Sequence, residues 1–421
     1  MLNVLGVLIA FASVIVLIRL KVNFGISLIL GGVIIGLFSL QEIEFIEIPK
    51  AMLAATVYSL DSNQLVLDTI ELALLLFFIY MLAKTMQESG AIDRLIVSLK
   101  TFFSKTAIIG VVPAIYGLMP VPGGALFSAP MVDKEGDKVG LTQNQKNFVN
   151  VWFRHIWFTI YPVSSAMILL SSTQMFNINI YDLVLIQLPM FVVMIVVGAV
   201  LLHRFAVHDD DVDVQSPSRD FYGLIYLFAP ILPLLTSAIL MPLGVSQIRS
   251  FLVGVILSVF LVLMVAKIPY RQWAGIIRKG IGWRLPMAIF GIMIFREMFM
   301  VSQVDMVLGE WVQAVSIPPI ILFALLPMFF GIVMGYNLGA VGISFPILAA
   351  FIPLFGNGNM VALASVLYIS SLVGYLISPL HLCNVVSSEY LKTDTMGMYR
   401  IIVPASLVLL VINTGLMVFL V

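Results

Sequence analysis

The chain has 421 residues, of which 61% are hydrophobic and 10% are charged, whereas charged residues make up about 25% of an average soluble domain. Its 22 basic and 22 acidic residues give a formal net charge of zero, and its mean hydropathy is +1.10. This composition excludes a soluble globular protein and indicates a polytopic membrane protein.

Ten apolar runs are long enough to cross about 30 Å of hydrocarbon as α-helices. In chain order they cover residues 2–19, 23–40, 65–86, 146–171, 181–204, 222–241, 247–266, 284–303, 358–379 and 399–421. The first run has neither a basic n-region nor a small-residue cleavage pattern, so we interpret it as a retained span rather than a signal peptide.

Two further apolar stretches, 106–131 and 317–354, are interrupted near their middles by Gly and Pro. We interpret each as a re-entrant hairpin of two half-helices. Irregular backbone survives at membrane depth only where protein buries it or water reaches it, so the tips 120–128 and 337–345 are predicted to line a cavity. The alternative is that their small residues simply let helices pack closely.

Loop charges support this topology. With the N-terminus outside, eighteen of the 22 basic residues fall on cytoplasmic segments, Lys50 and Arg249 fall outside, and Arg154 and Arg296 fall within the membrane. Treating either hairpin as a full crossing would scatter the later basic residues over both faces. The sequence therefore predicts extracytoplasmic N- and C-termini.

The order of elements repeats about a polar, acidic linker at 206–221. A shift of 216 residues places Gly123 on Gly339 and Ser128 on Ser344, and a shift of 217 places Pro162 on Pro379. Each half has five crossings, an odd number, so the second half must run inverted. We therefore predict an all-α membrane protein of two inverted repeats, 1–205 and 222–421, each with five crossings and one hairpin. Inverted repeats with discontinuous helices are typical of secondary transporters, whose site lies at the repeat interface.

Polar residues gather on one face of the span that follows each hairpin. Asn147, Asn150, Arg154, Tyr161 and Ser165 are separated by helical steps, as are Tyr368, Ser371, Tyr375 and Ser378 in the second half. The predicted substrate-binding residues come from these two spans, from His381 just after the second, and from the hairpin tips: Gly123, Gly124, Ser128, Arg154, Tyr161, Ser164, Ser165, Asn337, Gly339, Ser344, Tyr375, Ser378 and His381.

Arg154 carries most of this prediction, because an Arg inside a span costs about 2.5–3.5 kcal/mol on insertion scales and usually faces a cavity or a partner. It is either the counter-charge of an anionic substrate, a member of a structural ion pair, or a side chain that reaches the cytoplasmic interface.

Three other residues are candidates for proton or ion coupling: Glu71, His155 and Glu297. A structural role is the alternative for each of them. Glu71 and Arg296 form one possible cross-repeat ion pair, while the adjacent Arg296 and Glu297 face different directions on a helix and need not pair.

Enzyme motifs are absent from the sequence: there is no HExxH, GxGD, GxSxG or P-loop. The single cysteine, Cys383, excludes an internal disulfide and most cysteine metal sites. We therefore expect no enzyme activity, no resident metal or cofactor and no nucleic-acid partner. Two other functions stay open: a translocase or enzyme acting on a lipid-linked anion such as a polyprenyl phosphate, and a non-transporting membrane scaffold.

The segments GLMPVPGGALFSAPM (117–131) and GYLISPLHLCNV (374–385) carry a family resemblance. The chain resembles the ion transporter superfamily, which includes gluconate permeases and divalent-anion:sodium symporters, and within it the prokaryotic family called domain of unknown function 401. The hairpin tips here contain Pro-Gly-Gly and Asn-Leu-Gly instead of the Ser-Asn-Thr of sodium-coupled dicarboxylate carriers, so neither sodium coupling nor dicarboxylate specificity is carried over.

The resemblance implies an elevator-type transporter and a homodimer in the cytoplasmic membrane of a prokaryote. Residues 106–205 and 317–421 would form the mobile transport part, and 1–105 and 222–316 the scaffold. Together with the residues above, it predicts a secondary active transporter of a small organic anion. Because the membrane potential opposes anion entry by about 2.3 kcal/mol per charge per 100 mV, uptake would need co-transported sodium ions or protons.

Overall fold

The structure is a computed structural model that describes residues 2–60, 62–118, 124–206, 221–304, 306–307, 318–356 and 358–421. It is almost entirely helical, apart from one antiparallel pair of two-residue strands. Part of the polar linker and part of the first hairpin tip, including Gly123, lie outside these residues.

The first half begins with helices that pack on one another and end before the first hairpin. Their bounds are α1 Leu2–Arg19, α2 Phe24–Phe38, α3 Glu47–Ala54, β1 Tyr58–Ser59, β2 Gln64–Leu65, α4 Leu67–Glu88 and α5 Ala91–Leu99. Asn23 starts α2 by accepting hydrogen bonds from the backbone N–H groups of Gly25 and Ile26, which the helix itself leaves unpaired.

The remainder of the first half contains the predicted hairpin and a broken helix. It comprises α6 Lys105–Gly117, α7 Ala125–Lys138, α8 Gln143–Arg154, a 3₁₀ turn Ile156–Thr159, α9 Ser165–Ser171 and α10 Ile180–Phe205. Thr142 and Gln145 form a capping box at the start of α8. Pro162 lies between the 3₁₀ turn and α9, where a missing N–H and a fixed φ prevent helix continuation.

The described part of the second half consists of helices and 3₁₀ turns. Its elements are a 3₁₀ turn Tyr222–Leu227, α11 Phe228–Leu240, a 3₁₀ turn Met241–Leu243, α12 Gln247–Val265, α13 Tyr270–Lys279, α14 Arg284–Val301, α15 Pro319–Met334, α16 Asn337–Ala349, a 3₁₀ turn Ile352–Phe355, α17 Met360–Leu376, α18 Leu382–Leu391 and α19 Thr395–Val418. Gly335, with φ +60°, makes the sharp turn between α15 and α16.

Six helices within the described ranges are at least 18 residues long and apolar enough to span a membrane. Several shorter apolar helices include both arms of the second hairpin and α17. The structure breaks two of the predicted continuous spans: 146–171 is divided around Pro162, and 358–379 ends at Leu376. A proline lies at each break, Pro162 at the first and Pro379 at the second.

Four short helices, α3, α5, α13 and α18, are additional to the predicted spans. None of the ten residues of α13 is buried, and its last turn carries Arg278 and Lys279. A short helix with polar and aromatic residues does not satisfy a search for long apolar runs, so span counting misses it.

Helix packing joins the two halves closely. α2 packs on α14 and α12 packs on α4, while α14 and α4 also contact each other. A Cβ atom built on Gly25 of α2 would lie 1.9 Å from the carbonyl oxygen of Met287, and one on Gly291 of α14 would lie 2.3 Å from that of Gly25. Glycine is therefore needed where these two backbones cross.

Candidate functional site

The two helix breaks face a common cavity of about 210 Å³. Residues from the first hairpin, the first break, the second hairpin and the second break line it, together with Leu285 of α14. The lining residues are Gly117, Leu118, Arg154, His155, Phe158, Tyr161, Val163, Ser164, Ser165, Ala166, Leu285, Gly335, Tyr336, Asn337, Leu338, Tyr375, Leu382 and Cys383.

Arg154, the last residue of α8, is only 3% exposed. A Cβ atom on Gly124 would lie 2.2 Å from its Nη2 atom, and one on Gly117 would lie 1.9 Å from its carbonyl oxygen. The first hairpin therefore packs directly on Arg154, with Gly117 against its backbone and Gly124 against its guanidinium group.

Arg154 also lines a second cavity of about 200 Å³. Of these two, the cavity of about 210 Å³ between the helix breaks is the larger cavity. The other residues that line the second cavity are Gln87, Ile92, Asp93, Tyr116, Gly124 and Phe127. Arg154 thus lies between the two cavities. The only acidic side chain among all of these described lining residues is Asp93, in the second cavity.

Asn150 holds the first hairpin against the break of the second half. Its Nδ2 atom donates to the carbonyl oxygen of Ala125 at 2.9 Å and to Ser387 Oγ at 2.8 Å, and its Oδ1 atom accepts from Ser128 at 2.5 Å. Ser128 and Asn150 are fully buried and do not line the larger cavity. Their role in the structure is to connect α7, α8 and α18.

Tyr368 of α17 makes the corresponding link from the other side. Its hydroxyl lies 2.6 Å from the carbonyl oxygen of Phe158 and 3.1 Å from Ser164 Oγ. The Phe158 carbonyl, freed one turn before Pro162, is therefore an acceptor for Tyr368. Ser371 donates to Asn337 Oδ1 at 2.7 Å, which connects α17 to the start of the second hairpin's return helix.

The structure brings some of the predicted site residues to the larger cavity and separates others from it. Those that line it are Arg154, His155, Tyr161, Ser164, Ser165, Asn337 and Tyr375. Gly124 lines the second cavity instead. His381 lies behind the larger cavity, with its ring centroid 3.9 Å from that of Tyr375.

Gly339, Ser344 and Ser378 are absent from both described linings. Gly339 packs against Phe24 and Met334, Ser344 is fully buried, and Ser378 Oγ donates to the Ile332 carbonyl oxygen at 2.5 Å. These residues contribute to helix packing near the site and are not part of the wall of either cavity.

The hypothesised ion pair between Glu71 and Arg296 is wrong. Glu71 accepts from Arg249 of α12, with an oxygen to Nη2 distance of 2.7 Å, and Arg296 lies 3.7 Å from Glu297. Glu71 lies in the first turns of α4 and Arg249 in the first turn of α12, so the packing of these two helices brings their matching ends together. Neither Glu71 nor Glu297 lines either of the two cavities at Arg154.

Sequence reasoning missed several lining residues, notably Tyr336 and Cys383. Tyr336 precedes the predicted tip residue Asn337, and Cys383 follows the predicted His381 by two positions. Both lie within two positions of a predicted site residue. A single Tyr or Cys in an apolar segment, however, is not part of a helical repeat of polar residues and so was not selected.

The family model described as "Protein of unknown function (DUF401)" matches residues 3–421, and the resemblance found in the sequence is thereby confirmed. No curated protein matches the chain. Among solved structures, the fold is similar to the crystal structure of the Alcanivorax borkumensis YdaH transporter, described as having an unusual topology. The TM-score is 0.62 at 14% identity, over 83% of this chain and 84% of that one, which shows a shared fold.

Proposed function

Since the chain belongs to the DUF401 family, whose description assigns no activity, we propose from the site itself that it is a secondary active transporter of a small anion. Transport would be coupled to protons or sodium ions and would use an elevator-type movement. The similarity of the fold to that of the YdaH transporter supports transport, but it does not indicate a substrate.

The observation that carries the proposal is the electrostatics of the larger cavity. Arg154 is the one Arg, Lys, Asp or Glu among its described lining residues. The first turns of α16 and α18 also line it, through Asn337 and Leu338 and through Leu382 and Cys383. Within the described residues neither helix has a side-chain N-cap, so their N–H groups and positive dipole ends favour an anion.

The pattern of helix packing supports the inverted repeats. α1 packs on α2 as α11 packs on α12, and α2 packs on α14 as α12 packs on α4. In the later part, α7 contacts α18 as α16 contacts α9, and α8 contacts α19 as α17 contacts α10. When each helix is replaced by its counterpart in the other half, the two contacts of each pair are interchanged. Five crossings and one re-entrant hairpin in each half, ten crossings in all, are consistent with this exchange of halves.

The division into a scaffold (1–105 and 222–316) and a transport part (106–205 and 317–421) is supported by the same packing. α2 contacts α14, α14 contacts α4 and α4 contacts α12, while the hairpins pack mainly on the broken helices. We propose that the transport part moves against this scaffold and that the scaffold contains the homodimer contact. Localisation in a prokaryotic cytoplasmic membrane with both termini outside belongs to the same proposal.

The proposal is tested by measuring anion binding and transport with Arg154 variants. Purified protein is screened by thermal shift against carboxylates, sugar acids, phosphonates and inorganic oxyanions, with and without sodium. An anion that stabilises the protein is then assayed for uptake into liposomes. Loss of a charged hydrogen-bond donor costs about 1.5–3 kcal/mol, so Arg154→Gln is expected to weaken anion binding about 10- to 100-fold. Arg154→Ala is expected to lose accumulation altogether.

Arg296→Gln is the matched control, because Arg296 is also an arginine of an apolar helix but lines neither described cavity. It is expected to keep wild-type binding. Equal anion binding by wild-type protein and a folded Arg154→Gln variant would remove Arg154 from the site. A protein that flips an anionic lipid and transports none of the soluble anions would instead support the lipid-linked substrate.

A further inference from the structure

Two histidines and the single cysteine form a buried cluster where the two helix breaks meet. His155 follows α8, and His381 and Cys383 begin α18. One possible ligand atom from each residue lies within 4.8 Å of the others, and the His155 and His381 ring centroids are 4.8 Å apart. Both histidines are fully buried and Cys383 is 4% exposed.

The hydrogen bonding of His155 leaves one ring nitrogen available. Its Nδ1 atom lies 2.6 Å from the carbonyl oxygen of Val151. A carbonyl oxygen can only accept, so Nδ1 carries the proton and Nε2 carries the lone pair. Nε2 is buried and has no hydrogen-bond partner among the described residues. A ligand histidine oriented by a backbone carbonyl is the usual arrangement around a protein-bound metal.

His381 adds a second available nitrogen. Neither of its ring nitrogens has a hydrogen-bond partner within the described part of the chain. The nearby Leu376 carbonyl oxygen accepts from Asn384 at 3.0 Å. A buried polar group without a hydrogen-bond partner destabilises the fold, so these nitrogens point to a ligand.

Cys383 completes a set of two imidazole nitrogens and one sulfur. The thiolate is the form that binds metal, and a helix N-terminus beside a cysteine stabilises that form. Zn²⁺ takes such N and S ligands at about 2.0–2.3 Å in a tetrahedron, which places ligand atoms about 3.3–3.6 Å apart. Side-chain rotations that bring the three atoms about 1 Å closer reach this spacing.

We propose that His155, His381 and Cys383 bind a transition-metal cation, with Zn²⁺ the best match to the ligand set. His155 and Cys383 also line the larger cavity, which leaves the fourth coordination position open to it. The inference goes beyond anion transport, because metal binding requires neither the anion nor movement of the transport part.

The first test is direct metal binding by the full chain, purified with an affinity tag that contains no histidine. Metal-free protein is titrated with Zn²⁺ and with Co²⁺, and bound metal is quantified after desalting. We expect one metal ion per chain and, with Co²⁺, a thiolate-to-metal charge-transfer absorption. Because Cys383 is the only cysteine, that absorption would report this site alone.

Ligand variants define the site. Cys383→Ser, His381→Gln and His155→Gln are each expected to weaken Zn²⁺ binding more than about 100-fold, since even second-shell changes cost 10- to 100-fold. His203→Gln is the control, because His203 lies at the end of α10, outside the cluster. Stoichiometric binding that survives in folded Cys383→Ser and His381→Gln proteins would overturn the proposal.

A second measurement needs no variant. Zn²⁺ is expected to slow the reaction of Cys383 with a maleimide in the unmodified chain, and a metal chelator is expected to restore it. A reaction rate that is the same with Zn²⁺ and with chelator, together with no bound metal, would also overturn the proposal.

Discussion

At the scale of single residues, the contacts around Arg154 separate stability from binding. Gly117 faces the Arg154 backbone, whose position is set by α8, whereas Gly124 faces the guanidinium, the far end of a flexible side chain. An added methyl group therefore meets a rigid neighbour at one position and a movable one at the other. The two glycines should respond differently to the same substitution.

We expect Gly124→Ala to fold with a nearly wild-type melting temperature but to bind the anion weakly, because its Cβ atom would displace the guanidinium. Gly117→Ala should lower stability by about 1–3 kcal/mol, the usual cost of overpacking. Thermal unfolding in detergent and anion thermal shift measure the two effects. Gly415→Ala in α19 is the control, since no described neighbour lies within 4 Å of a Cβ atom there. Wild-type anion binding by Gly124→Ala would contradict this account.

At the scale of elements, α7 and α8 are joined by a buried lysine. Lys146 Nζ lies 2.7 Å from Asp133 and 2.6 Å from Asp137, and the Lys146 side chain is 0% exposed. The carboxylates are 34% and 69% exposed, so water solvates them but not the ammonium group. Removing the acids leaves a buried charge without a partner, whereas removing the lysine leaves two solvated carboxylates.

The double variant Asp133→Asn/Asp137→Asn is therefore expected to unfold at a lower temperature than Lys146→Met, although it replaces two solvent-accessible carboxylates and keeps the lysine. Differential scanning fluorimetry in detergent measures the order. Glu135→Gln, which breaks the pair with the half-exposed Lys138, should change stability by at most about 1 kcal/mol. If Lys146→Met proves the more damaging change, the lysine acts mainly through packing of its alkyl chain.

At the scale of the whole molecule, the proposed elevator movement requires the hairpins to slide against the scaffold. The second hairpin contacts the scaffold where Gly342 of α16 meets Ile292 of α14. A Cβ atom on Gly342 would lie 2.8 Å from Ile292 Cγ1 and 3.0 Å from its Cγ2. A cysteine sulfur at either γ position would be close enough to that Cβ atom for a disulfide.

We expect Gly342→Cys/Ile292→Cys, made in a Cys383→Ser background, to lose transport on oxidation and to regain it on reduction. Uptake into liposomes under both conditions measures this. Gly36→Cys/Ile48→Cys is the matched control within the scaffold, because a Cβ atom on Gly36 would lie 2.8 Å from Ile48 Cγ1. Its oxidation should leave uptake unchanged. Full transport by the oxidised Gly342/Ile292 variant would exclude a sliding movement at this contact.

The sequence alone predicted the helical membrane class and the two prolines at which helices break. These features are local, because apolar length, Gly and Pro act within a few residues of the chain. It also predicted Arg154, His155, Tyr161 and Asn337, which line the larger cavity. A charge or a polar group inside an apolar run is visible without knowing its neighbours.

Only the tertiary structure decided which residues meet across the two halves. The partner of Glu71 is Arg249 rather than Arg296, and Ser344 is buried away from the cavity that its hairpin approaches. The cluster of His155, His381 and Cys383 joins residues more than 200 positions apart. Such contacts depend on the angles at which helices cross and on how each helix is rotated about its axis in the folded protein. A single sequence shows which face of a helix is polar, but it does not show which residues of another helix that face meets.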